Sequence, residues 1–249
     1  MSSFTDTGLI IRTRPHGEGA MILTALSEHH GVRSGYVHAG RLSKSLRGVL
    51  QPGNFVHLDW QGSGEDGLGR FSVEEEWNLL PHILDDRMRL LAVQSVCALI
   101  DQCVGEREPH PGLYDGTKIL MQMIEGQDWP PVLIMWEIQL LKTLGFALNL
   151  DRCVSSGVAE GLAYVSPKSG GAVSLAEGEP YAHKLLPLPP FLAGGDDWQD
   201  DDIADGLKMT GYFLFHRVLD PLSRAMPEAR EQLYRCFLPE SDEQDIQKG

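Results

Sequence analysis

The hydrophobic period of this chain changes once, near Pro81, and that change fixes the order in which two kinds of structure follow each other. Up to about Trp77 the apolar residues come in short runs separated by turn signals, the pattern of a small antiparallel barrel rather than a bundle. In residues 54–61, Val56, Leu58 and Trp60 alternate with His57 and Asp59, so one face of the segment is apolar and the other polar. Five strands are predicted at roughly 8–14, 20–27, 33–39, 54–61 and 70–77. His30-Gly31, Gln51-Pro52-Gly53 and residues 62–67 supply turns, because glycine tolerates positive φ and proline presets the bend. Residues 40–50 read as a polar, basic loop with no apolar face.

Beyond Pro81 the spacing becomes helical. Leu84, Met88, Leu91, Leu99 and their neighbours predict a helix over 84–104, stopped by Gly105 and Pro109. A second is predicted over 113–125. A third runs over 131–144, with Pro131 acceptable at a first helical position and Gly145 as its stop; its density of apolar residues makes it the expected centre of this domain. Glycine, serine and proline break the regime over 151–181, an irregular excursion with short strands at most at 162–166 and 172–174. Residues 185–190 should be extended, and helices return at 203–219 and 222–236 before a polar tail from Pro239. The expected fold class is α+β: a barrel domain over 1–80, a helical domain over 81–240 and a frayed tail over 241–249.

Net charge is −14, which taken as an average argues against nucleic acid, since phosphate binding is driven by positive charge and counterion release. The average hides a gradient. Between Arg12 and Arg47 lie six basic residues (Arg12, Arg14, Arg33, Arg41, Lys44, Arg47) against two acidic ones (Glu18, Glu28), so an anionic ligand could find a local face on an acidic protein. No stretch approaches the ~18 uninterrupted apolar residues a bilayer span needs. Met1 to Thr7 lack the pattern of a signal peptide. The protein is expected to be soluble and cytoplasmic, with no membrane partner. Cys97, Cys103, Cys153 and Cys236 are scattered without paired spacing, which suggests neither a disulfide framework nor a CxxC metal half-site.

Several segments, in order, resemble the RecO family of recombination mediators. TDTGLIIRTRPHGEGAMILTALSEHHG is similar to the family's first two barrel strands, and VHAGRLSKSLRGVLQPGN to its basic loop and L-Q-P-G turn. WEIQLLKTLGF with ALNLDRCVSSG is the most distinctive match, and LAYVSPKSGGAVS with YAHKLLPLPPFL continues it. The resemblance implies an N-terminal OB fold, a helical C-terminal domain and no catalytic residues. It further implies binding and annealing of single-stranded DNA, contact with double-stranded DNA, and recombinase loading with RecR and in many bacteria RecF. The C-terminal tail of single-stranded-DNA-binding protein is a further implied partner. Many family members hold zinc with two CxxC pairs in the excursion. Here Cys153 stands with Ser156 and no second pair occurs over 164–175, and one thiolate cannot make a closed tetrahedral site, so no metal and no cofactor is expected.

On this reading Arg33, Arg41, Lys44 and Arg47 line a phosphate-tracking groove on one side of the barrel, combined with base stacking on aromatic side chains. Arg12 and Arg14 share a strand face if the period is two, and either extend the groove, with Arg14 as the DNA-contacting candidate, or pair with Glu18 or Glu28. The bland alternative is a solvated basic loop. Phe4, Tyr36, Phe55, Trp60, Phe71 and Trp77 are the barrel's aromatics, of which Phe55 and Trp60 look inward or ambiguous. Two other function classes compete. A metal-dependent hydrolase would use His29, His30, His38, Asp85-Asp86 or Asp200 to Asp202, yet no HExxH-like spacing occurs and adjacent aspartates are commoner as helix-start charges. A protein-interaction adaptor with little direct DNA binding would use Trp136, Met121, Met123, Met135 and Phe213, with Lys118, Lys142, Arg152 or Lys208 to meet an acidic tail.

Overall fold

The computed structural model describes residues 2–17, 20–38, 48–62 and 68–239. These form two compact units, divided at Glu125/Gly126.

The first unit is built on five strands, β1 (Ser2–His16), β2 (Ala20–Ser27), β3 (Gly31–His38), β4 (Phe55–Gly62) and β5 (Gly69–Trp77). They close into a barrel in the order β1-β2-β3-β5-β4, the five-stranded Greek-key arrangement of an OB fold. β1 is long enough to serve two partners: Ser2 to Leu9 pairs with β4 and Gly8 to His16 with β2, with a register shift between Ile10 and Arg12. The sequence predicts only its second half, because Phe4 is the single large apolar residue between Ser2 and Gly8. Ile10, Leu23, Ala25, Val37, Val56, Leu58, Trp60 and Phe71 fill the interior. Val49 and Leu50 join them, both buried, which corrects the expectation that residues 40–50 have no apolar face. Each of the larger aliphatic side chains and Phe71 contributes about 1.5–3 kcal/mol through burial. Trp60 is accommodated by two glycines: a Cβ at Gly62 or Gly69 would come within 2.3 Å or 2.2 Å of the indole, so neither position tolerates a side chain while the ring stays.

Helices α1 (Arg87–Cys103) and α2 (Pro111–Met123) belong to this same unit. The predicted helix over 84–104 is interrupted before Arg87, where Asp86 is the N-cap and accepts from the Arg89 N–H; a separate turn of helix covers Leu80–Ile83. α1 packs on β1, with the Cys97 thiol against the Ile10 carbonyl at 3.7 Å. Tyr114 of α2 hydrogen-bonds the Thr7 hydroxyl at 2.9 Å. Packing therefore groups residues 80–125 with the barrel, although the hydrophobic period turns helical at Pro81.

The second unit centres on α3 (Trp129–Thr143), α4 (Asp200–Phe213) and α5 (Glu228–Cys236). Glu137 of α3 is fully buried and receives both Nε and Nη2 of Arg230 from α5 at 2.9 Å each, with the Thr210 hydroxyl of α4 as a further donor. Such a pair is costly to desolvate and costlier to break, because either partner alone is a buried uncompensated charge. Asp200, Asp201 and Asp202 occupy the first turn of α4, where Gln199 and Asp202 form a capping box, so they satisfy the helix start electrostatically. The predicted helix over 203–219 ends as α at Phe213 and continues as a π turn over Leu214–Leu219. The one predicted over 222–236 is shorter than expected. A 3₁₀ turn at Asp220–Leu222 and left-handed Ser223 break the chain, and helix resumes only after Pro227. Between α3 and α4 a three-stranded sheet forms from β6 (Leu162–Val165), β7 (Ala172–Ser174) and β8 (Leu186–Pro187), in the order β7-β6-β8.

Candidate nucleic-acid interface

Residues paired across neighbouring strands share a face, so the register decides which side chains look outward. Val37, Phe71 and Trp60 point into the core, hence their neighbours Tyr36, Arg70 and Gln61 point out. Arg14 pairs with Ile22, Ile22 with Tyr36, Tyr36 with Arg70 and Arg70 with Gln61. The result is one continuous outer row, Arg14–Ile22–Tyr36–Arg70–Gln61, with His16 and His38 two residues further along their strands. Lower down, the same outer face is covered. Arg12 pairs with Asp101 of α1 at 3.2 Å, and Ser34 bonds Glu106 at 3.2 Å. What remains open is the end carrying Arg14, Tyr36 and Arg70.

There the ring of Tyr36 lies 5.0 Å from that of His16, and Arg70 Nη2 donates to His38 Nε2 at 2.9 Å. A cavity of about 640 Å³ opens at this place, lined by Tyr36, His16, His38, Gln61, Arg70 and Leu68 together with Ser2, Ser3 and small residues. His16 and Ala20 bracket the β1–β2 turn, His38 begins the β3–β4 connection, and Gly62 and Leu68 bracket the β4–β5 connection. All five line the cavity, so these three connections join the barrel at its rim.

Arg33 is placed elsewhere. It sits on the inward row opposite Ala25, with its guanidinium carbon 5.6 Å from the Phe4 ring and 5.8 Å from that of Trp60, while Nε donates to the His30 carbonyl at 3.1 Å. His30 stacks on Phe4 at 3.9 Å and Phe4 on Trp60 at 5.4 Å. Asp6 lies beside this stack, buried, and accepts from the N–H groups of Thr7 and His29, from Nδ1 of His29 and His30, and from the Ser27 hydroxyl. Burial alone would raise the Asp6 carboxyl, but hydrogen bonds from His29, Ser27 and His30 outweigh it and hold the group well below the usual carboxylate range. The same hydrogen bond and the Asp6 charge raise His29. Asp6, Glu28 and His29 bring metal-ligand atoms within 4.8 Å of one another. The Asp6 oxygens are already occupied by five donors, which suits bracing of the β2–β3 turn.

Of the sequence-derived site residues, the described structure thus separates Arg14 from Arg33; Arg41, Lys44 and Arg47 lie outside the described residues. Arg70, His16, His38 and Gln61 were missed as interface residues. The signal that could have found them is their position beside the connections that flank an OB fold's binding face. Phe55, Trp60 and Phe71 are buried and offer no stacking surface. Among the adaptor candidates, Trp136, Met121 and Phe213 are core, Met123 and Met135 are exposed, and Lys118 is paired with Glu76 at 3.0 Å. Cys153 is buried. Burial would raise its thiol, but hydrogen bonds from Ser156 and Ser174 lower it to about 6. The excursion around it is tied by backbone bonds such as Val154 N–H to the Ala172 carbonyl at 2.8 Å. No helix among the described residues is long and apolar enough to cross a membrane.

Comparison with known proteins agrees along the chain. Residues 1–76 match the family model for the recombination protein O N terminal, and residues 84–225 that for its C terminal. The DNA repair protein RecO of Methylocella silvestris is 42% identical over 238 residues, covering 94% of each chain. That of Rhodospirillum centenum is 40% identical over 229 residues, covering 91% of each, and that of Rhodospirillum rubrum 40% over 240 residues, covering 93% of this chain and 95% of the relative. With an OB barrel at one end, helices after it and both family models matched in order, the chain belongs to the RecO family of DNA repair proteins.

Proposed function

We propose that this protein binds single-stranded DNA along the outer row Arg14–Tyr36–Arg70 and anneals complementary strands. It would act as a mediator that helps load recombinase onto DNA coated with single-stranded-DNA-binding protein, together with RecR. The observation that carries the reading is the register itself, which sets Tyr36 and Arg70 side by side and Arg14 in the same outward row across Ile22, on an otherwise acidic protein. Arg41, Lys44 and Arg47, outside the described residues, follow His38 of this rim in sequence. Cations there neutralise phosphates and release counterions, and Tyr36 adds a stacking face. Annealing then needs no catalytic group: two strands whose phosphate charge is cancelled no longer repel each other, and pairing proceeds unaided.

The test is annealing of complementary oligonucleotides coated with single-stranded-DNA-binding protein at low salt. Arg14→Glu/Arg70→Glu and Arg41→Glu/Lys44→Glu/Arg47→Glu should each slow the reaction by about tenfold or more. Full activity in both variants would favour the adaptor reading, in which helical-unit surfaces do the work and the barrel touches little DNA.

A further inference from the structure

We infer that the cavity beside Tyr36 is a base pocket, which takes one deoxynucleotide of a bound strand out of its stack while the adjoining arginines hold the flanking phosphates. This rests on the single-strand reading above and adds to it a discrete subsite with a different chemistry. A groove that only tracks phosphates needs cations and little else. The lining here is of another kind: the Tyr36 ring, the half-exposed side chain of Leu68, Ala20 and the backbone of Gly62 and Gly69 make most of its wall apolar. The apolar part of this wall suits the face of a heterocycle, which a phosphate-tracking surface alone would not.

The volume, about 640 Å³, falls in the class that encloses small organic ligands. Gly62 and Gly69 give the wall bare backbone, and the Trp60 indole fills the space behind it that a Cβ at either position would need. The polar side chains that line it are Ser2, Ser3, His16, His38, Gln61 and Arg70. Gln61 presents a carboxamide with both donors and an acceptor, able to meet the hydrogen-bonding edge of any base, and Ser3 adds a hydroxyl. Behind the wall, Ser2 Oγ and Trp60 Nε1 are buried without hydrogen-bond partners among the described residues, which leaves unmet polar capacity at this wall. Arg70, in the same register row as Tyr36, sits at the rim beside His38, where the phosphate of an inserted nucleotide would lie. A single strand gives up one base from its stack at little cost, since no pairing is lost.

The experiment measures competition by thymidine 5′-monophosphate and by 2-deoxyribose 5-phosphate, with the full-length protein and a fluorescent oligothymidylate. A companion titration uses the same strand carrying several abasic sites. The nucleotide should compete at least about tenfold better than the sugar phosphate, and the abasic strand should bind about tenfold more weakly than the intact one. Tyr36→Ala and Gln61→Ala, both at outward positions, should abolish the preference for the nucleotide over the sugar phosphate, and a preference retained in both variants would overturn the pocket. Equal competition by the sugar phosphate, or equal affinity for the abasic strand, overturns the pocket and leaves the phosphate-binding row standing. Binding of the nucleotide without binding of any strand would overturn the strand reading and keep the pocket. Binding of neither would remove both.

Discussion

The two arginines on neighbouring parts of the barrel, Arg14 and Arg33, have opposite fates. Arg33 faces inward at the β2–β3 end, packed on Phe4 and Trp60 and tied to a backbone carbonyl, where its charge is spent on closing the barrel beside Asp6. Arg14 faces outward at the other end, exposed, in register with Tyr36 and Arg70, with no ion pair among the described residues. One end is a polar network whose groups answer one another. At the other, Arg14 is exposed, Arg70 donates to the exposed His38, and the ring of Tyr36 lies against that of His16. A basic residue's place in the pleat, and not its charge, decides which of these it becomes.

The largest effect expected from this contrast is on stability at the closed end. Asp6→Ala strips five donors of their acceptor in a buried setting and should cost about 3 kcal/mol, read as a lowered midpoint in urea denaturation. Arg14→Ala, on the open face, should leave that midpoint within about 0.5 kcal/mol. Equal losses would mean the two ends are not distinct in kind.

A smaller effect is expected from pH. His29 is raised above its ordinary 6.5 by Asp6, so its contribution is complete below that value and is lost as pH rises through the raised folded value. Asp6 is lowered, so its contribution is present above 3.8 and is lost only as pH falls towards its depressed folded value. Thermal stability of the barrel unit should therefore decline as pH rises above about 6.5, and His29→Gln should flatten that slope. An unchanged slope in the variant would remove His29 from the network.

How much of this was legible beforehand follows from which interactions are local. β2 emerges at its predicted bounds because Met21, Ile22, Leu23, Ala25 and Leu26 form a dense apolar run between a glycine turn and a His-His-Gly turn. The helix starts carry their own signals too, as Asp86 and Asp200 to Asp202 do. The outer row is another matter: Arg14, Tyr36 and Arg70 are far apart in sequence and meet only through three strand registers, one of them the brief parallel pairing of β3 with β5. Arg33 was misleading for the same reason, since a neighbour count of basic residues cannot tell an inward row from an outward one. Asp6 carried no local hint of its burial; apart from the Thr7 N–H, its partners come from Ser27 at the end of β2 and from His29 and His30 in the turn that follows.

The most direct measurement is the dependence of single-strand affinity on salt concentration, made on the parent protein, Arg14→Ala/Arg70→Ala and Arg33→Ala. Each phosphate contact on a single strand adds about 0.7 to the slope of log affinity against log salt, so the double variant should lose about 1.4 and Arg33→Ala nothing. A double variant with the parent's slope, or an Arg33→Ala protein whose slope falls instead, would contradict the assignment of the outer row as the surface that meets DNA.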